Sequence, residues 1–354
     1  METLEILYDI KHKNNHFFDR KFKFISKKTL LKGLKKSGKT SLIIDYLQNF
    51  SHEEILYIDL DDTRVDRVQI AKNLVNFTKT KPLKILVIEN YDKSFKLPDI
   101  EEIILTCKDD IEGFDNRYLY PLDFEEFISF DTRHSNIEHL FNLYANKGTY
   151  PQILINNSNS VHWAIQEMLK LMLNQKHEFE IFKALSIYQS SKVSAFSIYN
   201  SLKDKIKISK DKLYEKINNL QNEKMIFLIQ KYNSPRSPKK LYLIDFALKN
   251  ALTFKKEFLK RFENMVFLEL IKRDKTIFYT EFIDIFLPHE RKAIYCIPFL
   301  PQELIYLKIK KILKHLKELE VEKIEIITVG NEGGFEIESI SCEIVPYWQW
   351  ALGE

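Results

Sequence analysis

The sequence predicts an α/β fold that opens on a parallel sheet with a phosphate-binding loop, and three observations lead there. Short apolar runs alternate with helical patterns through the first third of the chain, the rhythm of strands joined by crossover helices. The octapeptide GLKKSGKT (33–40) lies between the first apolar run and the first helical pattern. After residue 123 the pattern turns helical, then becomes short helices with a hairpin, then a small mixed α/β tail.

The elements follow in order. TLLKG (29–33) reads as a short buried strand and SLIIDYLQNF (41–50) as the helix after the loop. EILYIDL (54–60) is a second strand. DRVQIAKNLVNFTK (66–79) is a helix with Val68, Leu74, Val75 and Phe77 on its inner face, capped by Asp62 or Thr63. LKILVIEN (83–90) is the most apolar strand and therefore central, and IEEIILTC (100–107) is another. Residues 123–176 read as helices. SKDKLYEKINNLQNEK (209–224) is a helix with Ser209 as N-cap and Leu213, Ile217 and Leu220 on one face. MIFLIQKYN and KKLYLID, joined by SPRSP, form a hairpin after it, so residues 177–250 describe a winged helix. In the tail, FLKRFENMVFLELIKR is a helix with a stripe of Leu259, Phe262, Val266 and Leu270. Strands are expected at KTIFYT, EFIDIFL and KAIYCIPF, then a long helix from Gln302 to Leu319, then KIEIITV and a final strand-rich segment.

Composition sets bounds on these elements. A chain of 354 residues, 45% hydrophobic and 29% charged, is long enough for two or three soluble domains. A net charge of +4 is too small, at this size, to argue for nucleic acid by itself. Cys107, Cys296 and Cys342 lie far apart without metal-ligand spacing, as expected of thiols in a reducing compartment. METLEILYDIKHKNN lacks the pattern of a signal peptide, and no run approaches the roughly 18 apolar residues of a membrane helix. The expectation is a cytoplasmic protein with no membrane contact.

Gly33-x-x-x-x-Gly38-Lys39-Thr40 matches the full phosphate-loop spacing, with strand before and helix after. Glycines permit a tight turn in which successive N–H groups face phosphate oxygens, and the helix adds its positive end. Gly33, Leu34, Lys35, Lys36, Ser37, Gly38, Lys39, Thr40 and Ser41 are the candidate nucleotide contacts. Lys39 would reach the β- and γ-phosphates, and the Thr40 hydroxyl would ligate Mg²⁺. The expected ligands are ATP or ADP with Mg²⁺. ILVIENYD (85–92) offers Glu89 for the metal shell, but leaves Asn90 where a general base would stand. Asparagine can position water and cannot take its proton. Arg117 is the candidate that could reach a γ-phosphate, in cis or from a neighbouring subunit. Asp59, Asp61 and Asp62 read as a solvated turn.

LLKGLKKSGKTSL, YIDLDD, LVIEN, IILTCKDD, YPLDFEEFI and YANKGTYPQIL, in this order, resemble a prokaryotic family of AAA-type ATPases. KLYLIDFALKNAL and RFENMVFLELIKR resemble its later blocks. The resemblance implies an ATPase core with a helical lid, a winged-helix region and a C-terminal domain related to restriction endonucleases. It also implies a role for Thr106 as a sensor of the γ-phosphate. Two departures stand out: the family's acidic strand usually ends in Asp-Glu, here Glu89-Asn90, and its sensor threonine usually precedes Gly-Ser, here Cys107-Lys108.

A nuclease of the restriction type needs converging carboxylates and a lysine. Glu263, Glu269 and Asp284 are available, but the strand slot for Glu-x-Lys reads Tyr295-Cys296-Ile297, and Glu290-Arg291-Lys292 falls in the turn PHERK. Lys210, Lys212, Lys216, Lys224, Arg236, Lys239 and Lys240 could dock the winged helix on DNA phosphates, offset by Asp211, Glu215 and Glu223. The expected organisation is a phosphate-loop core (1–132), lid (133–176), winged helix (177–250) and degenerate nuclease-like domain (251–354). The expected function is a nucleotide-dependent switch or weak ATPase. The alternatives are a DNA- or protein-binding module with little ATP turnover and an ATP-regulated nuclease. A protein partner or homo-oligomer fits the first two.

Overall fold

The computed structural model describes residues 2–13, 19–131, 135–155, 160–173, 175–204 and 206–353. The expected boundary between residues 132 and 133 and parts of the helical stretch 123–176 lie outside them. The chain forms two compact units, Met1–Tyr120 and Pro121–Glu354.

In the first unit, five parallel strands run in the order β2-β3-β4-β1-β5. They are β1 (Lys28–Lys32), β2 (Ile55–Asp59), β3 (Ile85–Glu89), β4 (Glu102–Leu105) and β5 (Asp115–Tyr118). All five residues of β3 are buried, as the unbroken apolar run predicts for a strand covered on both faces. One face packs Leu30, Leu56, Ile58, Leu86 and Ile88 with α1 (Glu2–Asp9) and α3 (Arg67–Thr78). The other packs Leu31, Ile55, Ile85 and Val87 against Leu42, Ile43 and Leu47 of α2 (Lys39–Leu47).

Helix α3 starts at Arg67, inside the expected 66–79, but its cap is not the expected one. Asp62 is engaged by the N–H and guanidinium of Arg64, so Asp66 becomes the cap, accepting from the Val68 and Gln69 N–H groups. Ile70, Leu74 and Phe77 are inside, Val75 is half-buried, and Val68, in the first turn, faces out and is 77% exposed.

The second unit starts with α4 (Phe124–Ser129), α5 (Ile137–Lys147), α6 (Pro151–Ile155) and α7 (Val161–Met172). Next come α8 (Lys176–Ser186), β6 (Ser191–Val193), α9 (Ala195–Leu202), α10 (Lys210–Asn222), β7 (Ile226–Ile229) and β8 (Lys239–Leu243). The three strands make an antiparallel sheet in the order β6-β8-β7. Ser209 caps α10 as expected, accepting from the Lys212 N–H, and Leu213, Ile217 and Leu220 are buried.

After α11 (Leu248–Leu252) comes α12 (Phe258–Lys272), with every residue from Phe262 to Leu270 buried. A helix enclosed on all sides has no single apolar stripe, and Leu259, expected inside, is 58% exposed. Its buried residues Glu263, Asn264 and Glu269 each find polar partners. Asn264 donates to the Leu243 carbonyl and accepts from the Leu243 N–H, continuing the β8 ladder. Glu269 accepts from the Phe124 N–H and from the Tyr144 and Tyr347 hydroxyls.

The tail is a five-stranded mixed sheet in the order β12-β13-β11-β10-β9. Its strands are β9 (Ile285–Leu287), β10 (Lys292–Cys296), β11 (Lys323–Thr328), β12 (Gly333–Ile337) and β13 (Ile340–Pro346), and α15 (Tyr347–Leu352) follows them. The expected strand 275–280 is reduced to isolated bridges at Phe278 and Tyr279. The strand 281–287 shrinks to three residues because the Thr280 hydroxyl takes the N–H groups of Phe282 and Ile283 and folds them into a turn. The long helix breaks at Ile312 into α13 (Gln302–Lys311) and α14 (Leu313–Glu318), which seat Ile305, Ile309 and Leu316 in one core.

Two stretches that carried the family resemblance meet here. Asp245 accepts from the Thr149 N–H and, at 2.7 Å, from its hydroxyl, joining GTYP to KLYLID. Gly148 makes the approach possible: its φ is +83°, and a Cβ there would lie 2.5 Å from an Asp245 oxygen. Gly148→Ala therefore combines left-handed strain with a clash, and a loss of about 2 kcal/mol or more is expected. Urea unfolding of the parent and variant checks it.

Candidate nucleotide site

The site sits where β1 hands over to α2 at the carboxyl ends of the parallel strands, the usual place for a ligand in such sheets. Gly33 leaves β1 at φ +148°, and a Cβ would stand 2.6 Å from the Leu119 carbonyl oxygen, so no other residue passes there without displacing β5's exit. The Ser37 N–H closes the turn on the Leu34 carbonyl. Gly38 then starts α2 without any side-chain cap. The first α2 bond runs from the Leu42 N–H to Gly38, leaving the preceding N–H groups without helical partners.

The Lys39 ammonium folds back over this turn, donating to the Gly33 and Leu34 carbonyls at 2.8 and 2.9 Å. Burial lowers its pKa to about 8, against the pull of Glu89 and helped by the push of Lys35. The Thr40 hydroxyl donates to Glu89 Oε2 at 3.0 Å, and the Tyr57 hydroxyl to Oε1 at 2.6 Å. Burial raises the Glu89 pKa in spite of both bonds, and the same burial and carboxylate raise that of Tyr57.

The structure thus brings Gly33–Ser41 and Glu89 together, with Thr40 and Glu89 in direct contact. Asn90 stands at the end of β3 with φ +55°. Its N–H donates to the Thr106 hydroxyl at 2.9 Å and its side-chain Nδ2 to Asp59 Oδ1 at 2.8 Å. The Thr106 hydroxyl thus accepts from Asn90, and that bond leaves its O–H donor unused. Arg117, on β5, lies 3.7 Å from Asp115 and over the Phe22 ring, neither of them in the loop.

Two contributors carry no sequence signal. Arg20 donates to the carbonyls of Ser37 and Tyr120, tying the loop to the strand exit beside it. Tyr57 is an interior tyrosine of β2 in sequence, and its role depends on strand order alone.

The fit for a phosphate chain with a divalent cation rests on three local features. Among the described residues the buried Ser37 hydroxyl has no hydrogen-bond partner. Among the described residues the Lys39 ammonium hydrogen-bonds only to loop carbonyls, weaker acceptors than phosphate. A hydroxyl and a carboxylate, the hard oxygen donors that Mg²⁺ takes, already touch.

No protein-family profile matches the chain. An uncharacterized protein of Methanocaldococcus jannaschii, MJ1544, is 25% identical over 419 aligned residues, covering 99% of this chain and 94% of that protein. A Walker-type ATPase of Pyrococcus abyssi, PABY2304, superposes with a TM-score of 0.43 at 16% identity over 64% of this chain and 91% of its own. The Aeropyrum pernix ORC1 protein, solved in complex with DNA, gives 0.30 at 11% identity over 64% and 86%. Among the described residues, no helix is long and apolar enough to cross a membrane.

Removing the Arg20 guanidinium frees the Ser37 carbonyl and loosens the loop. Arg20→Ala is expected to weaken MgATP binding about tenfold, the size of one charge-assisted bond. Calorimetric titration of the folded variant checks it.

Proposed function

We propose that the protein is an ATP-binding nucleotide-dependent switch or weak ATPase of the AAA type, with MgATP held by Gly33–Ser41. The observation that carries this reading is the Lys39 ammonium poised on the Gly33 and Leu34 carbonyls beside a Thr40–Glu89 pair. On binding, Lys39 would exchange the two carbonyls for β- and γ-phosphate oxygens. Thr40 and Glu89 would hold Mg²⁺, which neutralises phosphate charge. The Asn90 amide cannot take a proton, so the end of β3 supplies no general base of its own.

The same reading assigns residues 1–132 to the ATPase core, 133–176 to its lid, 177–250 to a winged helix and 251–354 to a restriction-endonuclease-like domain. The α8–α10 helices with the β6-β8-β7 sheet support the third assignment, and the mixed five-stranded sheet with α12 supports the last. DNA or a protein is the partner proposed for the winged helix. Lys210, Lys212 and Arg236 are exposed on it. Lys216 is paired with Glu178 at 2.7 Å, and Lys240, expected in the wing's basic set, is buried against Glu263 at 2.6 Å, so neither contributes to a phosphate surface.

Cleavage is not part of the proposal. The carboxylates that a nuclease would need are otherwise engaged: Glu263 by Lys240 and Tyr242, and Asp284 by the Cys296 N–H. Glu290 pairs with Lys275 and Lys292, and Lys292 also with Glu325. Among the described residues, no cluster of three His, Cys, Asp or Glu side chains could hold a metal.

Calorimetry tests the nucleotide reading. Lys39→Ala is expected to lower MgATP affinity about a hundredfold, roughly 3 kcal/mol, and a variant that binds like the parent overturns it. The lowered Lys39 pKa adds a pH signature. Free protein loses the proton as pH rises through about 8, whereas the bound ammonium keeps it. Binding at pH 8.5 should therefore take up a proton, seen as a buffer-dependent heat, and the affinity should fall by up to about tenfold per pH unit above 8. At pH 6.5 neither effect is expected. Incubation with plasmid and single-stranded DNA in Mg²⁺ or Mn²⁺, with and without ATP, should leave both intact, and the same gels read DNA retardation. Cleavage lost in Asp284→Ala would replace this reading with the nuclease one.

A further inference from the structure

The acid that Asn90 lacks stands beside it on the neighbouring strand. Strands β2 and β3 pair in parallel with Asp59 opposite Glu89. Residues paired in this way project to the same face of the sheet. That face carries Ile55, Ile85 and Val87 against α2, and from it the Tyr57 hydroxyl reaches Glu89. The Asp59 carboxylate therefore leaves the sheet's carboxyl edge on the side of α2 and the phosphate loop.

The hydrogen bonds around Asp59 leave one oxygen open. Oδ1 accepts from the Asp61 N–H at 2.9 Å and from Asn90 Nδ2 at 2.8 Å. Among the described residues no donor reaches Oδ2, and the side chain is half-buried. Asn90 is itself fixed by its left-handed backbone and its N–H bond to Thr106. Glu89 differs on every count: it is buried, and both of its oxygens are engaged by Thr40 and Tyr57.

We propose that Asp59 is the general base of ATP hydrolysis and that Asn90 is the positioning residue that aims it. The inference rests on the nucleotide reading above. In the step, the water oxygen bonds to the γ-phosphorus while the bond from that phosphorus to the β–γ bridging oxygen breaks. ADP leaves with the bridging oxygen, and the water proton passes to Asp59 Oδ2. The amide sits on β3 and the carboxylate on β2.

The test is steady-state turnover and calorimetric ATP binding by the full chain. Asp59→Asn is isosteric, and its ATP affinity, expected within about twofold of the parent, reports that the site is folded. Its kcat is expected to fall about a hundredfold, within the range of general-base catalysis. Asp59→Asn combined with Asn90→Asp, which returns the acid to β3 at a backbone position aspartate tolerates, should recover at least about tenfold. Turnover unchanged in Asp59→Asn, or a parent that binds ATP and never hydrolyses it, overturns the role of Asp59 while the nucleotide reading stands. A double variant as slow as Asp59→Asn overturns the aiming role of Asn90. A parent that does not bind ATP at all overturns the nucleotide reading, and this inference with it.

Discussion

A carboxylate taken out of water must find donors, and in both units of this protein that requirement determines how distant elements lock together. Glu89, Asp245, Glu263 and Glu269 are all buried, and burial raises the pKa of each. Glu89 is satisfied by Thr40 and Tyr57, which joins α2, β2 and β3 at the phosphate loop. Asp245 is satisfied by Thr149 and the Ala247 N–H, and Glu263 by Lys240 and Tyr242. Glu269 gathers Phe124, Tyr144 and Tyr347, from segments of which the outer two lie more than two hundred residues apart in the chain. Losing one such acceptor would orphan several buried donors together, so α12, which bears two of the four, is the central element of its unit.

The same physics gives the carboxylates of the tail a structural part. An acid on a helix near an aspartate and a lysine can be a metal site or an internal ion pair, and the difference lies in what the lysine does. Here the Lys240 ammonium reaches Glu263 and also donates to the backbone carbonyl of Asp284. A fixed cation beside the two acidic residues supplies the positive charge that a divalent ion would otherwise bring. A buried pair of this kind, once formed, is strongly resistant to losing either member.

At the phosphate loop, by contrast, the polar groups are left incompletely matched. The Lys39 ammonium rests on carbonyls, weaker acceptors than phosphate, while the Ser37 hydroxyl and the first N–H groups of α2 go without a side-chain partner. Groups held in place but short of partners are what a ligand can exploit without reorganising the backbone. Mismatch at the loop and the paired carboxylates of α12 are two uses of one rule.

The local features of the first unit were legible in the sequence because they depend on neighbours in the chain. The all-apolar β3, the glycine turn at Gly33 and the helix that follows all announce themselves within a few residues. So does the Ser209 cap of α10. Wherever the outcome depended on residues far away, the local pattern misled. Val68 and Leu259 fit an apolar period yet face solvent, each in the first turn of its helix, before the packed part begins. Lys240 reads as one more wing lysine until β8 is packed on α12. Tyr57 and Asp59 gained their places from strand order and register, which bring together residues 57 and 89, and 59 and 90, and Arg20 gained its place from the packing of a loop against residue 37. Periodicity records which side of an element is apolar. Only tertiary packing decides which polar group meets which, because a hydrogen bond needs its partner within about 3 Å whatever the distance along the chain.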